Sequence, residues 1–144
     1  IESQSISMFR ELGKIDFIGV DYIGIVKVVG SNPKFKRLEV DDISARLKAL
    51  GKTIDCPMVV LSQMTRQEGV YNKELGRTLE KRPELSSLKE SGGLEADADV
   101  AILLHRDIRY EPEKAEFIVA KNRNGRTGDI QMTYNPQLTT FRDQ

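Results

Sequence analysis

The sequence predicts an α/β domain with a mostly parallel sheet flanked by helices and an antiparallel β-hairpin at its C-terminal end. Two observations carry that prediction. Short apolar runs that end abruptly in polar residues enclose a stretch of helical period, and the last part of the chain changes to paired strands around Asn124-Gly125. At 144 residues the chain has the length of one domain with one core.

Ile6, Phe9 and Leu12 stand at helical spacing before Gly13, which suits the left-handed conformation just past a helix end. Ile15 to Tyr22 is mostly apolar and then acidic, the pattern of a buried strand that delivers Asp21 at its C-terminal end. Gly24 to Arg37 holds Gly, Ser, Asn, Pro and the basic residues Lys27, Lys34, Lys36 and Arg37, and reads as a surface loop. Asp41 or Asp42 can cap a helix whose stripe is Ile43, Leu47, Leu50 and Ile54. Pro57 closes it, and Met58 to Leu61 forms a second strand ending in Ser62 and Gln63, so that strand, helix and strand make a parallel crossover. Met64 to Pro83 shows no sustained period and reads as a long loop with Arg66, Lys73, Arg77, Lys81 and Arg82. Glu84 to Ser91 reads as a short helix stopped by Gly92 and Gly93, and Ala98 to Leu104 as a third buried strand with His105 and Arg106 at its end. Glu116 to Ala120 and Ile130 to Tyr134 are strands joined through Asn124-Gly125, a strong hairpin signal.

Composition narrows the function classes. Apolar residues make up 39% and charged residues 31%, a balance that folds rather than one that stays disordered. Lys plus Arg and Asp plus Glu are 22 each, so any attraction to nucleic acid must come from local clusters. One cysteine, Cys56, and one histidine, His105, exclude a disulfide framework and a zinc cluster, and Cys56 reads as core. No apolar run approaches the ~18 residues that span a bilayer. The expectation is a soluble protein of a reducing, cytoplasmic compartment with no membrane partner. The chain opens on Ile1 with helical material already under way, which reads as a piece of a longer protein.

The chemistry belongs beyond the carboxyl ends of the parallel strands, where Asp21, Ser62 with Gln63, and His105 collect. An aspartate there can hold Mg²⁺ through water, and the amide of Gln63 can orient water or sense a phosphate without titrating. The same residues also suit a cap and a solvated strand end. Lys121, Arg123 and Arg126 fall within six residues without an acidic neighbour, a cluster suited to phosphate oxygens or equally to a solvated tip that protects a sheet edge.

Taken in order, several segments resemble the C-terminal half of the RecA-like motor domain of DnaB-type replicative DNA helicases. They are Ile18-Gly-Val-Asp21-Tyr22, Ile43 to Leu50 leading into Cys56-Pro-Met-Val-Val-Leu-Ser-Gln63, Arg82-Pro83 through Ser86-Ser-Leu-Lys-Glu-Ser-Gly92 to Asp97-Ala-Asp99, and Ala120-Lys-Asn-Arg-Asn-Gly125. The resemblance implies a partial RecA-like P-loop NTPase fold over residues 1–144, as the C-terminal part of one motor domain that hydrolyses ATP with Mg²⁺. It implies that Asp21 is the Walker B aspartate near the metal and Gln63 the glutamine coupling nucleotide state to DNA. It implies that Arg123 is an arginine finger reaching the neighbouring subunit's ATP, with Lys121 as its companion, and that Lys89, Glu90 and Gly92 touch single-stranded DNA. The implied partners are single-stranded DNA, further copies of the chain in a hexameric ring that unwinds duplex DNA 5′ to 3′ at the fork, primase and a helicase loader.

The sequence departs from the family pattern in two places. No Gly-x-x-x-x-Gly-Lys-Ser/Thr occurs in it, so the phosphate cradle is expected upstream of Ile1 together with the water-activating glutamate. Tyr22-Ile-Gly-Ile replaces the usual continuation after the aspartate, and the loop from Lys27 to Arg37 is its own. Two alternatives remain at the level of sequence. One is a recombinase-like RecA ATPase, which the Ser-Gly-Gly after Lys89-Glu90 argues against, and the other is a degenerate module that binds DNA or protein without catalysis.

Overall fold

The computed structural model describes residues 1–28, 36–64 and 68–143, with the backbone alone at 36–37 and 89–91. They form two compact units, one of residues 1–64 with 90–97 and one of residues 65–89 with 98–144. Helix α1 (Glu2–Leu12) opens the first unit and ends as expected, with Gly13 at φ 73° donating its N–H to the Phe9 carbonyl at 2.8 Å. Strand β1 (Ile18–Val20) pairs in parallel with β2 (Met58–Val60), in the register Ile18 to Met58 and Val20 to Val60. The expected strand from Ile15 to Tyr22 is thus only three residues long. Its ladder lasts only as long as β2 runs beside it, and Ile23 then enters a short 3-10 helix (Ile23–Ile25).

Helix α2 (Lys36–Thr53) supplies the crossover between the two strands. Its stripe is the predicted one, since Ile43, Leu47 and Leu50 are buried and Ile54 continues it just past the helix end. Ile43 and Leu47 pack with Val20 and Ile23, while Leu50 and Ile54 pack with Cys56 and receive Ile6 and Phe9 from α1. Cys56 is core, as expected. The start of α2 is a correction, because the helix begins at Lys36 and neither Asp41 nor Asp42 caps it. Both sit inside the helix with their carboxylates engaged. Asp42 pairs with Arg46 one turn on at 3.0 Å, and Asp41 accepts the Gly93 N–H at 2.8 Å. Of the loop predicted from Gly24 to Arg37, residues 29–35, Lys34 among them, lie outside the described residues, as does Arg66, while Gly24 belongs to the 3-10 helix and Lys36 and Arg37 open α2.

Gly92 and Gly93 do not stop a helix. The chain passes through a 3-10 helix (Leu85–Ser91) directly into α3 (Gly92–Asp97), which packs on α2. Ser44 Oγ donates to Asp97 at 2.7 Å, one rung of that contact. A Cβ added at Gly93 would lie 2.7 Å from Asp41 Oδ1 and 2.9 Å from its Cα, so the glycine is there for close approach rather than for termination.

The second unit is antiparallel throughout. Strands β3 (Val70–Asn72) and β4 (Arg77–Leu79) form a hairpin inside what reads from sequence as a loop. Strands of three residues give too little alternation to register as a period. Their turn is set by Asn72, whose Oδ1 accepts the N–H groups of Glu74 and Leu75, and by Gly76 at φ 63°. The Arg77 guanidinium lies 4.1 Å over the Tyr110 ring and tethers the hairpin.

Strands β5 (Val100–His105), β6 (Lys114–Asn122), β7 (Gly128–Asn135) and β8 (Thr140–Asp143) form a sheet in that order. The α/β class stands, while its parallel part among the described residues is the pair β1 and β2. The expected third parallel strand exists as β5, but it pairs antiparallel with β6. It buries Ala101 and Leu103 and leaves Val100, Ile102 and Leu104 half exposed. Strand β8 has no counterpart in the sequence reading, and it brings Phe141 onto Phe117 and Tyr134 at ring separations of 5.1 and 4.9 Å.

Gly93→Ala is expected to lower stability by about 1–3 kcal/mol, the range for overpacking a filled contact. Equilibrium urea unfolding checks it, and a midpoint unchanged from the parent would show that α3 yields without cost.

Candidate functional site

The parallel register decides where the first group of candidates lies. Val20 and Val60 are partners, so the chain leaves β1 and β2 at the same end, and Leu61 donates its N–H to the Val20 carbonyl at 2.9 Å while accepting the Ile23 N–H at 3.0 Å. Asp21 follows β1 directly, with Ser62 and Gln63 just past β2, and both Asp21 and Gln63 are exposed. Asp21 is joined to Tyr22 by a cis peptide bond. The structure therefore brings the predicted carboxylate and amide to one edge.

Among the described residues no three of His, Cys, Asp and Glu gather as a metal cluster. Mg²⁺ takes one or two carboxylates and keeps several waters, completing its shell with phosphate oxygens. An exposed strand-end carboxylate such as Asp21 fits the ion as one contact through water, and it does not make a site alone.

The second group sits at the tip between β6 and β7. The pairing of these strands ends at Val119 with Gly128, but β6 continues to Asn122 with only β5 beside it, Val100 facing Asn122 and Ala101 facing Lys121. The register on β5 shifts between Ala101 and Ile102, whose partners are Lys121 and Val119, so Ala120 is the extra residue of a β-bulge. A bulge bends and twists its strand and re-aims the residues after it, here Lys121 and the tip. Asn124 and Gly125 lie in the turn as expected, though not as a two-residue loop. Gly13 and Gly76 are the positive-φ glycines among the described residues, and Gly125 serves close approach, a Cβ there lying 2.6 Å from Asn122 Nδ2. Asn122 Nδ2 donates to the Arg126 carbonyl at 3.2 Å across the turn. Arg123, Asn124, Gly125 and Arg126 are exposed, and Lys121 is half-buried. Arg123 donates its backbone N–H to the Asp99 carbonyl at 2.8 Å and its Nη1 lies 3.0 Å from Asp99 Oδ1.

Of the third group, Lys89 and Glu90 lie in the 3-10 helix and Gly92 begins α3. Gly92 is exposed, and the side chains of Lys89 and Glu90 lie outside the described residues.

Sequence reasoning missed two features. Arg82 reaches two strands at once, with Nε 2.7 Å from Glu116 on β6 and Nη2 2.5 Å from Asp129 on β7. Gln131 Nε2 donates to the other oxygen of Glu116 at 2.9 Å. The Gln131 hydrogen bond first, and the Arg82 guanidinium second, hold the Glu116 carboxyl below its ordinary value, and Glu116 and Asp129 push the guanidinium of Arg82 up. Arg82-Pro83 stood out in the sequence, but its carboxylate partners could be found only from strand register.

The other is a cavity of about 230 Å³ lined by His105, Arg106, Glu116, Phe117, Tyr134 and Phe141 among others. The Arg106 guanidinium lies 3.9 Å over the Tyr134 ring. Aromatic faces beside a flat guanidinium suit a planar ring by stacking, and the neighbouring carboxylate and imidazole add polar contacts at its rim. Arg106 was visible at a strand end, but the rings reach it from β6, β7 and β8.

Glu116 links stability to pH. Its folded value is depressed, so its contribution is complete above the ordinary glutamate value of 4.5 and is lost as the pH falls through the folded value. Denaturant midpoints measured from neutral pH to about pH 3 are expected to fall less steeply in Glu116→Gln than in the parent, and parallel curves would refute the assignment.

Comparison with known proteins shows the family and the fold. The family model described as the DnaB-like helicase C terminal domain matches residues 1–143. The Replicative DNA helicase DnaB of Buchnera aphidicola subsp. Baizongia pistaciae is 36% identical over 149 residues, covering 98% of this chain and 30% of the relative. Two solved structures, one an ATPase domain and the other a DnaB-like replicative helicase described with its interactions with primase, each superpose with a TM-score of 0.80 at 27% identity and 99% coverage of this chain. The chain covers 50% of the first and 34% of the second, and about 30% of the length of the curated relative.

Proposed function

We propose, on the premise that this chain belongs to the DnaB-like helicase C-terminal domain family, that it is the C-terminal part of one motor domain of an ATP-driven replicative DNA helicase. The reading is carried by one observation above all, the exposed basic tip that runs on past its β7 partner and bears Arg123. A guanidinium held out at a braced tip suits an anion that arrives from outside the chain. In a hexameric ring that anion is the triphosphate bound to the neighbouring subunit, and a donor supplied in trans to its developing charge makes hydrolysis depend on assembly. Lys121 stands beside it as a second cation for the same phosphates.

At the edge shared by β1 and β2, Asp21 would hold Mg²⁺ through water, and the ion, when bound, would neutralise phosphate charge during transfer. Gln63 lies at the same edge and carries an amide that donates and accepts without titrating, which fits it to report the state of the phosphate. Lys89, Glu90 and Gly92 form the contact to single-stranded DNA, local and directed at the backbone, as a chain of zero net charge requires. On this reading the protein works in the cytoplasm, with primase and a loader as partners of the assembled ring.

Two measurements test the proposal. The 144-residue chain lacks the Gly-x-x-x-x-Gly-Lys-Ser/Thr segment whose backbone donors cradle β and γ phosphates, so by itself it is expected to show no ATP turnover, and robust Mg²⁺-dependent hydrolysis by it would refute the reading. In the intact protein Arg123→Ala is expected to abolish DNA-stimulated hydrolysis while leaving nucleotide binding nearly unchanged. Equal loss of binding argues against a role in trans.

A further inference from the structure

We infer that Asp99 is a positioning residue for Arg123, and this rests on the reading of Arg123 as the donor in trans. Asp99 makes two contacts of different kinds to one residue. Its carbonyl accepts the Arg123 N–H at 2.8 Å, and its Oδ1 lies 3.0 Å from Arg123 Nη1. The first fixes the backbone of the tip, since it adds one rung to the β5 and β6 ladder beyond the pair Val100 and Asn122. The second selects where the long side chain stands. Arginine loses much rotamer freedom on being fixed, and a site that fixes it before the reaction removes that loss from the barrier.

The burial of the pair fits this work better than it fits a structural role. Both side chains are 52% exposed, and half-exposed ion pairs contribute little to folding stability. The same weakness lets the guanidinium be surrendered to a stronger anion. A triphosphate carries several negative charges against the single charge of Asp99, so it takes the guanidinium while the carbonyl contact keeps the tip in place. Asp97, two residues earlier, does something different, accepting from Ser44 Oγ on α2. The Asp97-Ala-Asp99 motif thus divides into one aspartate for packing and one for the tip.

The test uses the intact protein with ATP, Mg²⁺ and single-stranded DNA. Asp99→Ala is expected to lower kcat about tenfold, as misplacement of a transition-state donor does, with KM for ATP, hexamer assembly and melting temperature little changed. Added to Arg123→Ala and measured on the DNA-independent basal turnover that this variant keeps, it is expected to cause no further loss, because it acts through the guanidinium that is already gone. Wild-type kcat in Asp99→Ala beside a dead Arg123→Ala sinks the role of Asp99 alone. A kcat loss accompanied by a lower melting temperature, or a full further loss in the double variant, also overturns it in favour of mere bracing. Full DNA-stimulated turnover in Arg123→Ala removes the underlying reading, and the positioning role falls with it.

Discussion

The parallel pairing of β1 with β2 is the constraint on which the first half of the chain depends. Parallel strands cannot be joined by a tight turn, so the chain must climb back through a crossover, and α2 is that crossover. Once the helix is there its apolar stripe has somewhere to go. Ile43 and Leu47 close over Val20 and Ile23, and Leu50 and Ile54 close over Cys56. The same pairing sends both strands out at one edge, which is why an aspartate and a glutamine far apart in sequence come to stand at the same end of the pair. Antiparallel pairing would put Asp21 and Gln63 at opposite ends of the two strands.

The second unit obeys a different rule. Its sheet is antiparallel, and its basic tip arises where the ladder becomes uneven. Strand β6 is longer than its partner β7, and the extra residue at Ala120 bends it just before Lys121. The overrun would be a frayed end if β5 did not run beside it and Asp99 did not close the last rung. Arg82 supports the same strands within the ladder, bridging β6 to β7 through Glu116 and Asp129. A pair of carboxylates side by side on one sheet face would repel, and the shared guanidinium together with the Gln131 amide removes that cost.

The range of each interaction decides how much of it is legible in the sequence. The end of α1 at Gly13, the stripe of α2, the apolar runs of β1 and β2 and the turn near Asn124-Gly125 are local, and a few consecutive residues specify them. The β3 and β4 hairpin escaped because its strands are too short to show a period, and β8 because Thr-Phe-Arg-Asp carries no alternation that burial would enforce. Gly92 and Gly93 misled because glycine marks close approach as well as termination, and only the position of Asp41 tells the two apart. Of the site, residue identities were legible and contacts were not. Neither Asp99 against Arg123 nor the rings against Arg106 can be found without strand register.

Zero net charge sharpens the functional argument. With 22 basic and 22 acidic residues the chain has no long-range field to gather a polyanion, and at physiological ionic strength charges more than about 8 Å apart are screened in any case. Recognition must then rest on a few cations placed at contact distance. Holding each one with a nearby carboxylate keeps the surface neutral when no phosphate is present, and it prevents the tip from capturing nucleic acid at random. Asp99 does this for Arg123, and Glu116 with Asp129 does it for Arg82. A cation so held answers only to an anion that brings more charge than its own partner and arrives in the right geometry, which is the condition the proposed role in trans requires.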